Sequence, residues 1–254
     1  MQTNLAKKKL KDGGVITGSM VRIPDPALVE FLALQGWDFL TFDAEHGTLD
    51  PGRCEDLVRA AQLYNVTPLV RVTTNEPPTI LRFLDTGAQG LHVPWVNTGE
   101  EAERAVQSVK YHPRGIRGLA GVRASTYLQT MTYDEYVRKA NAETLTIIQV
   151  ETIEAVHNLS DILAVPDIDV IFIGRTDLSH SLGHPGQTDH PDVVKAVDTV
   201  VDAVLATPAA LGVMVGSAEE AVNWKKRGAR YIITSVEAML GPGCRTYLNT
   251  VRQA

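Results

Sequence analysis

Short apolar runs rich in β-branched residues alternate along the chain with longer segments whose apolar positions recur at helical spacing. The short runs predict strands at Val15–Met20, Phe39–Asp43, Pro68–Val72, Gly90–Val93, Thr146–Val150, Val170–Ile173, Leu211–Val215 and Tyr231–Thr234. Each is apolar throughout, as a strand buried on both faces must be. The longer segments predict helices over Pro26–Gln35, Gly52–Tyr64, Pro77–Thr86, Thr98–Lys110, Ile153–Leu163, Pro191–Ala206 and Ala218–Arg227, with a last helix from Val236. Asp25-Pro26, Asp50-Pro51 and Glu76-Pro77 put proline in a first turn, where its missing N–H costs no hydrogen bond. Gly36 and Gly87 supply the left-handed residue that closes a helix.

Eight strand–helix units in 254 residues predict one α/β domain spanning 1–254, a closed (β/α)8 TIM barrel with a parallel sheet. A doubly wound sheet would carry a glycine fingerprint after its first strand. This chain has Gly18-Ser19-Met20-Val21-Arg22-Ile23-Pro24 there instead. One connection is long, Tyr111–Ala142, with glycines and arginines followed by a short helix near Tyr133–Asn141. Connections of that length in compact domains usually serve function.

Composition narrows the partners. A net charge of −6 opposes a nucleic-acid role, which needs clustered cations. The basic run Lys7–Lys11 reads as a solvated first helix. No apolar run approaches the ~20 residues that span a bilayer, so neither a membrane nor a nucleic acid is expected as partner and a cytoplasmic location is. Cys54 and Cys244 have no metal-ligand spacing, and Cys54 has no neighbour that would make it a nucleophile.

Barrel enzymes place their chemistry just beyond the C-terminal ends of the strands. Polar residues collect there: Asp43-Ala44-Glu45-His46 after strand two, Arg71 at strand three, Gln149 and Glu151 at strand five, Arg175-Thr176-Asp177 after strand six. Glu151 and Asp177 come from neighbouring strands, so the two carboxylates can share a hard divalent cation. Singly, each is as readily a helix cap, Asp177 for Leu178–Leu182. Together they favour a metal that a 2-oxo acid would chelate. Arg71 is either a substrate-oxygen ligand or an ion-pair partner of Asp43 or Glu45, or both. His46 is a proton carrier or a core histidine; His92, inside strand four, reads as structural. No lysine stands at a predicted strand end, which removes imine activation.

At these residues the chain resembles the HpcH/HpaI class II pyruvate aldolase family (2,4-dihydroxyhept-2-ene-1,7-dioate aldolase-like). The likeness runs through Phe39–Gly47, Pro68–Arg71, Leu84–Gly87, Val93–Val96, Pro113–Gly118, Gln149–Thr152 and Phe172–Gly183. It implies a lyase that cleaves 4-hydroxy-2-oxo acids to pyruvate and an aldehyde through a metal-stabilised pyruvate enolate. It implies Mg2+, Mn2+ or Co2+ on Glu151 and Asp177, His46 as a base oriented by Asp43, and Arg71 on the keto oxygen. Gln149 would lie beside the substrate, and the backbone of Thr176 and Asp177 would receive its carboxylate. It further implies a homo-oligomer, a hexamer, in which Asp85 reaches a neighbour's site and the last helix is exchanged. Arg175 departs from the family, which has proline there; it either pairs with an acidic neighbour or contacts an anionic substrate.

Three alternatives stay open at this stage. One is a related malyl- or citryl-CoA lyase, or a 2-oxo acid decarboxylase. Another is a sugar-phosphate barrel, with Gly212–Ser217 or Gly241-Pro242-Gly243 as the phosphate loop. The third is a non-catalytic scaffold.

Overall fold

In the computed structural model, which describes residues 1–253, eight parallel strands close into a barrel in the order β1 to β8. The strands are β1 Ile16–Val21, β2 Phe39–Asp43, β3 Thr67–Arg71, β4 Gly90–Val93, β5 Leu145–Val150, β6 Val170–Ile173, β7 Ala210–Met214 and β8 Tyr231–Ser235. Helices α1 Leu5–Lys11, α2 Pro26–Ala33, α3 Pro51–Leu63, α4 Pro77–Asp85, α5 Gly99–Val109 and α6 Tyr133–Glu143 occupy the first half. The second half holds α7 Ile153–His157, α8 Leu159–Leu163, α9 Arg175–Ser181, α10 Pro191–Leu205, α11 Ala218–Lys226 and α12 Val236–Gln253.

The side-chain period of the strands divides the core in two. One set, including Phe39, Leu69, Ile147, Phe172, Tyr231 and Ile233, fills the barrel interior. The other, including Leu40, Phe42, Val70, Leu91, Ile148, Ile171 and Val213, packs outward beneath the helices. That two-sided burial is why the strands read as unbroken apolar runs. Gly18 is required where Phe39 crosses β1, since a Cβ there would overlap the ring.

All eight predicted strands are present, within a residue or two at their ends. The predicted helix over Ile153–Leu163 is two short helices, α7 and α8. The chain leaves helical geometry at Asn158 (φ −96°, ψ 12°), whose side chain donates to the Asn97 carbonyl at 2.9 Å. The basic run is also not uniformly solvated. Lys7 is 5% exposed and turns inward from α1 to Asp169 at 2.9 Å, so this helix plugs the N-terminal end of the barrel. The other end is open, and the side chains just beyond the strands face the opening. Helix α12 projects from the barrel with only Val236 buried and with Leu240, Tyr247, Leu248 and Val251 exposed.

Candidate active site

Strand register builds the site from the outset. Asp43 pairs with Arg71 across β2 and β3, so carboxylate and guanidinium stand side by side at the barrel mouth. Arg71 donates from Nε to Asp43 Oδ1 at 2.9 Å and from Nη2 to Oδ2 at 2.6 Å, a bidentate fork. Its Nη1 lies 3.1 Å from Glu45 Oε2. Asp43 also accepts from Arg22 Nε at 3.1 Å and from the backbone N–H groups of Glu45 and His46 at 3.1 and 3.2 Å. Burial works to raise the Asp43 pKa, but the hydrogen bonds and charge of Arg71 outweigh it, and the carboxyl titrates below its ordinary value. Glu45 moves the other way, raised by burial against the pull of Arg71.

Val150 pairs with Ile173, which sets Glu151 opposite Gly174 on the next strand end. A Cβ on Gly174 would stand 2.6 Å from Glu151 Cβ and 2.7 Å from its Oε2, so only glycine leaves room for the carboxylate. Glu151 is 1% exposed. Its Oε1 accepts from the Trp95 N–H at 2.8 Å and its Oε2 from Gln149 Nε2. Burial, reinforced by the charges of Glu45 and Asp177, pushes its pKa up to about 7 despite those bonds. The charge of Asp177 adds a little to that rise. Asp177 sits in the first turn of α9, whose N-cap is Gly174. Asp177 is therefore inside the helix and not its N-cap, and no side chain caps this end.

Arg22, His46, Arg71, Gln149, Thr176 and Asp177, among others, line one cavity of about 430 Å3, and Glu151 lies against its Gly174 and Gln149. His46 is not a core histidine, because 58% of its side chain is exposed. Asp43 holds the backbone of His46, not its ring. Asp85 lies elsewhere, at the C-terminal end of α4, paired with Arg117 at 3.0 Å. Within one chain it is remote from this cavity. Arg175 turns to Glu220 at 2.5 Å and to the Met214 carbonyl at 2.7 Å, which selects the acidic-neighbour reading. His92 is fully buried against Phe172 and Tyr231 and is held neutral, its pKa pushed down to about 3 chiefly by burial. Burial pushes the Cys54 thiol up to about 12, consistent with an inert core residue.

A divalent cation fits this donor set. The buried Glu151 carboxylate is short of compensating charge, and Asp177 stands close enough to raise its pKa further. Gln149 Oε1 is buried without a partner beside it. All these donors are oxygens, which suits a hard ion. The phosphate-loop alternative fails on geometry. The Gly216 N–H is already given to Glu220 Oε2 at 2.8 Å, and Gly241-Pro242-Gly243 lies inside α12.

Two residues were not singled out from the sequence. Arg22 reaches Asp43 from β1's far end and also contacts Glu237 at 3.4 Å. Trp95 holds a left-handed backbone (φ 56°) that aims its N–H at Glu151, while its indole N–H meets Glu45 at 3.1 Å. The rule that found the other site residues applies to Trp95 too, since it follows β4 directly.

Residues 19–240 match the HpcH/HpaI aldolase/citrate lyase family. Among curated proteins, a pyruvate aldolase of Rhizobium etli is 37% identical over 83% of this chain and 83% of its own length. A 4-hydroxy-2-oxo-heptane-1,7-dioate aldolase of Klebsiella pneumoniae is 34% identical over 93% of this chain and 89% of its own. The crystal structure of a HpcH/HpaI aldolase/citrate lyase family protein from Burkholderia cenocepacia superposes with a TM-score of 0.93 at 33% identity, covering 98% of this chain and 100% of that one. The barrel, the acidic strand ends and these likenesses agree, and the chain belongs to the HpcH/HpaI aldolase/citrate lyase family of carbon–carbon lyases.

Proposed function

We propose that this enzyme catalyses reversible aldol cleavage of 4-hydroxy-2-oxo acids to pyruvate and an aldehyde. The observation that carries the reading is the buried Glu151 carboxylate, raised in pKa by burial and by the charge of Asp177, held against Gly174 and Gln149 of a cavity that Asp177 and the pre-oriented Arg71 also line. The relatives named pyruvate aldolase and 4-hydroxy-2-oxo-heptane-1,7-dioate aldolase support it. Glu151 and Asp177 would hold Mg2+, Mn2+ or Co2+, and such an ion supplies Lewis acidity toward a chelating 2-oxo acid.

The chain's own residues account for the rest. Arg71 is fixed by Asp43 and Glu45, so its guanidinium meets the substrate's 2-oxo oxygen without reorganising and stabilises the charge that gathers there as the bond breaks. His46, at the cavity rim, takes the proton from the 4-hydroxyl. The C3–C4 bond then breaks, its electron pair passes into the pyruvate fragment, and the aldehyde leaves. Returning a proton to C3 completes pyruvate. Asp43 positions the His46 loop through its backbone. Gln149 contributes the uncommitted Oε1, and the backbone of Thr176 and Asp177 receives the carboxylate. In the assembly, which we propose to be a hexamer, Asp85 serves a neighbour's cavity, and the exposed apolar side of α12 packs on another copy.

The test is pyruvate release from a 4-hydroxy-2-oxo acid before and after chelation. Turnover should vanish on chelation and return with Mn2+. A metal-free enzyme at full activity overturns the reading. Condensing pyruvate with a panel of aldehydes then identifies the acceptor.

A further inference from the structure

A second cavity, of about 420 Å3, lies toward the opposite end of the barrel. It is bounded by Gln62 near the end of α3 and by Gly87 and Ala88, which precede β4. Its polar wall is Arg117, Arg123, Thr126, Tyr127, Thr130 and Tyr136, and none of these lines the catalytic cavity.

Of the two guanidiniums that meet this cavity, one has no carboxylate partner and the other keeps an open donor. Arg123 donates only to uncharged oxygens, the Thr86 carbonyl at 2.5 Å and Gln62 Oε1 at 2.8 Å. Among the described residues it has no carboxylate in ion-pair range. The nearby Glu55 is committed to Arg59. Burial, and next the charge of Arg59, lower the pKa of Arg123, the sign expected of a cation short of an anion. Arg117 is 7% exposed and stacks on Tyr111 with its guanidinium carbon 4.7 Å from the ring centroid. It spends one nitrogen on Asp85 and Tyr136, but its Nε–H is buried with no acceptor. A buried charged donor left open is costly unless something fills it.

The backbone shows that the wall is built. Gly87 (φ 95°) lets the Arg123 guanidinium lie against the chain where any Cβ would collide with it. Thr126, Tyr127 and Leu128 hold three successive left-handed conformations (φ 52°, 53° and 57°), which bring the first two onto the cavity. Non-glycine residues adopt that region at a cost, and such strain collects at ligand clamps.

We infer that this cavity binds a small oxyanion, a carboxylate or phosphate, on Arg123 and Arg117, apart from the chain's catalytic cavity. Forked guanidiniums suit planar or tetrahedral oxyanions.

The experiment titrates the full-length protein with inorganic phosphate at constant ionic strength and reads heat by calorimetry. One phosphate per chain is expected. Arg123→Gln should weaken it by about tenfold or more, the scale of a lost charge-assisted hydrogen bond. Glu151→Gln should leave it unchanged. Thermal unfolding of Arg123→Gln establishes that it folds, and Arg123→Lys, which keeps the charge but loses the fork, should fall between. Phosphate binding that survives in folded Arg123→Gln overturns the proposal. So does binding lost in Glu151→Gln, which would put the anion in the catalytic cavity. Absence of uptake by the wild-type protein at millimolar phosphate also overturns it.

Discussion

Two clusters of buried charge, the Lys7–Lys110 cluster at the N-terminal end and the strand ends at the mouth, are treated in opposite ways. At the N-terminal end, Lys7 and Lys110 converge on the Thr144 carbonyl at 2.8 and 2.9 Å. Lys7 also meets Asp169 at 2.9 Å, Lys110 the Asn141 carbonyl at 2.9 Å, and Asn4 closes the ring through the Gln89 and Glu143 carbonyls. Both lysine ammoniums have acceptors, and the result is a plug. At the C-terminal end, Arg71 and Asp43 are satisfied, but Glu151 is held near neutrality and Gln149 keeps an orphan oxygen. Saturated charge is a structural device; charge left incomplete is capacity for a ligand. The same distinction separates strand ends that stabilise a barrel from those that perform chemistry.

The sharpest way to break the comparison is to remove the incomplete charge. Glu151→Gln keeps the shape and the bond from Trp95 but gives up the anion. Pyruvate release with Mn2+ present should fall by about 10^3-fold or more, the scale of losing a preorganised electrostatic element. Loss of less than tenfold would show that Glu151 is a packing residue like Lys110. Arg71→Lys should cost about 10^2-fold, with kcat falling more than KM rises, because a lysine cannot reproduce the fork to Asp43 while holding the substrate oxygen. Equal activity of the two forms would mean that Arg71 serves only its ion pairs.

Most of this architecture was legible in the sequence because it depends on short-range pattern. The eight apolar runs mark strands, and polar residues right after them mark the mouth; Asp43, Arg71, Gln149, Glu151 and Asp177 all follow from that rule. What could not be read depends on directions that only the folded chain sets. The inward turn of Lys7 is fixed by Asp169, 162 residues away. The left-handed turn at Trp95 aims its N–H at Glu151, 56 residues away. The break at Asn158 exists because its side chain finds Asn97.

Titration separates the two ends with opposite signs. In metal-free protein the Glu151 pKa, at about 7, lies above its ordinary 4.5. The folded state therefore holds that proton longer, and the stability it contributes is present below pH ~4.5 and is lost as pH rises toward ~7. Lys110 is lowered to about 7 from 10.5, chiefly by burial and then by Lys7. The stability linked to Lys110 is present above pH ~10.5 and is lost as pH falls toward ~7. Each slope is at most about 1.4 kcal/mol per pH unit. Urea unfolding with chelator present checks both. Wild type should lose ground to Glu151→Gln between pH 5 and 7, and gain on Lys110→Met between pH 7 and 9, by about 1–3 kcal/mol each. Parallel pH profiles for wild type and either variant would remove that residue from the account.

The smallest expected effect concerns Arg175, which borders the catalytic cavity yet behaves like a residue of the saturated end. Its Nη2 is spent on Glu220 and the Met214 carbonyl, and its guanidinium carbon lies 5.4 Å from the Trp224 ring centroid, so it ties the start of α9 to the loop after β7. Arg175 is also the first residue of α9, after the N-cap Gly174, the position where proline fits best because its missing N–H is not needed. Arg175→Pro therefore loses a partly exposed ion pair of about 0–1 kcal/mol and regains about 0.4–1 kcal/mol by restricting the unfolded chain. Its melting temperature should barely move. Its relative activity across a panel of aldehydes should match the wild type within about twofold, since the guanidinium is anchored through Nη2 on Glu220 and the Met214 carbonyl. A selective loss toward aldehydes bearing a second anionic group would show that Arg175 leaves Glu220 to bind them, and would move it from the saturated class to the incomplete one.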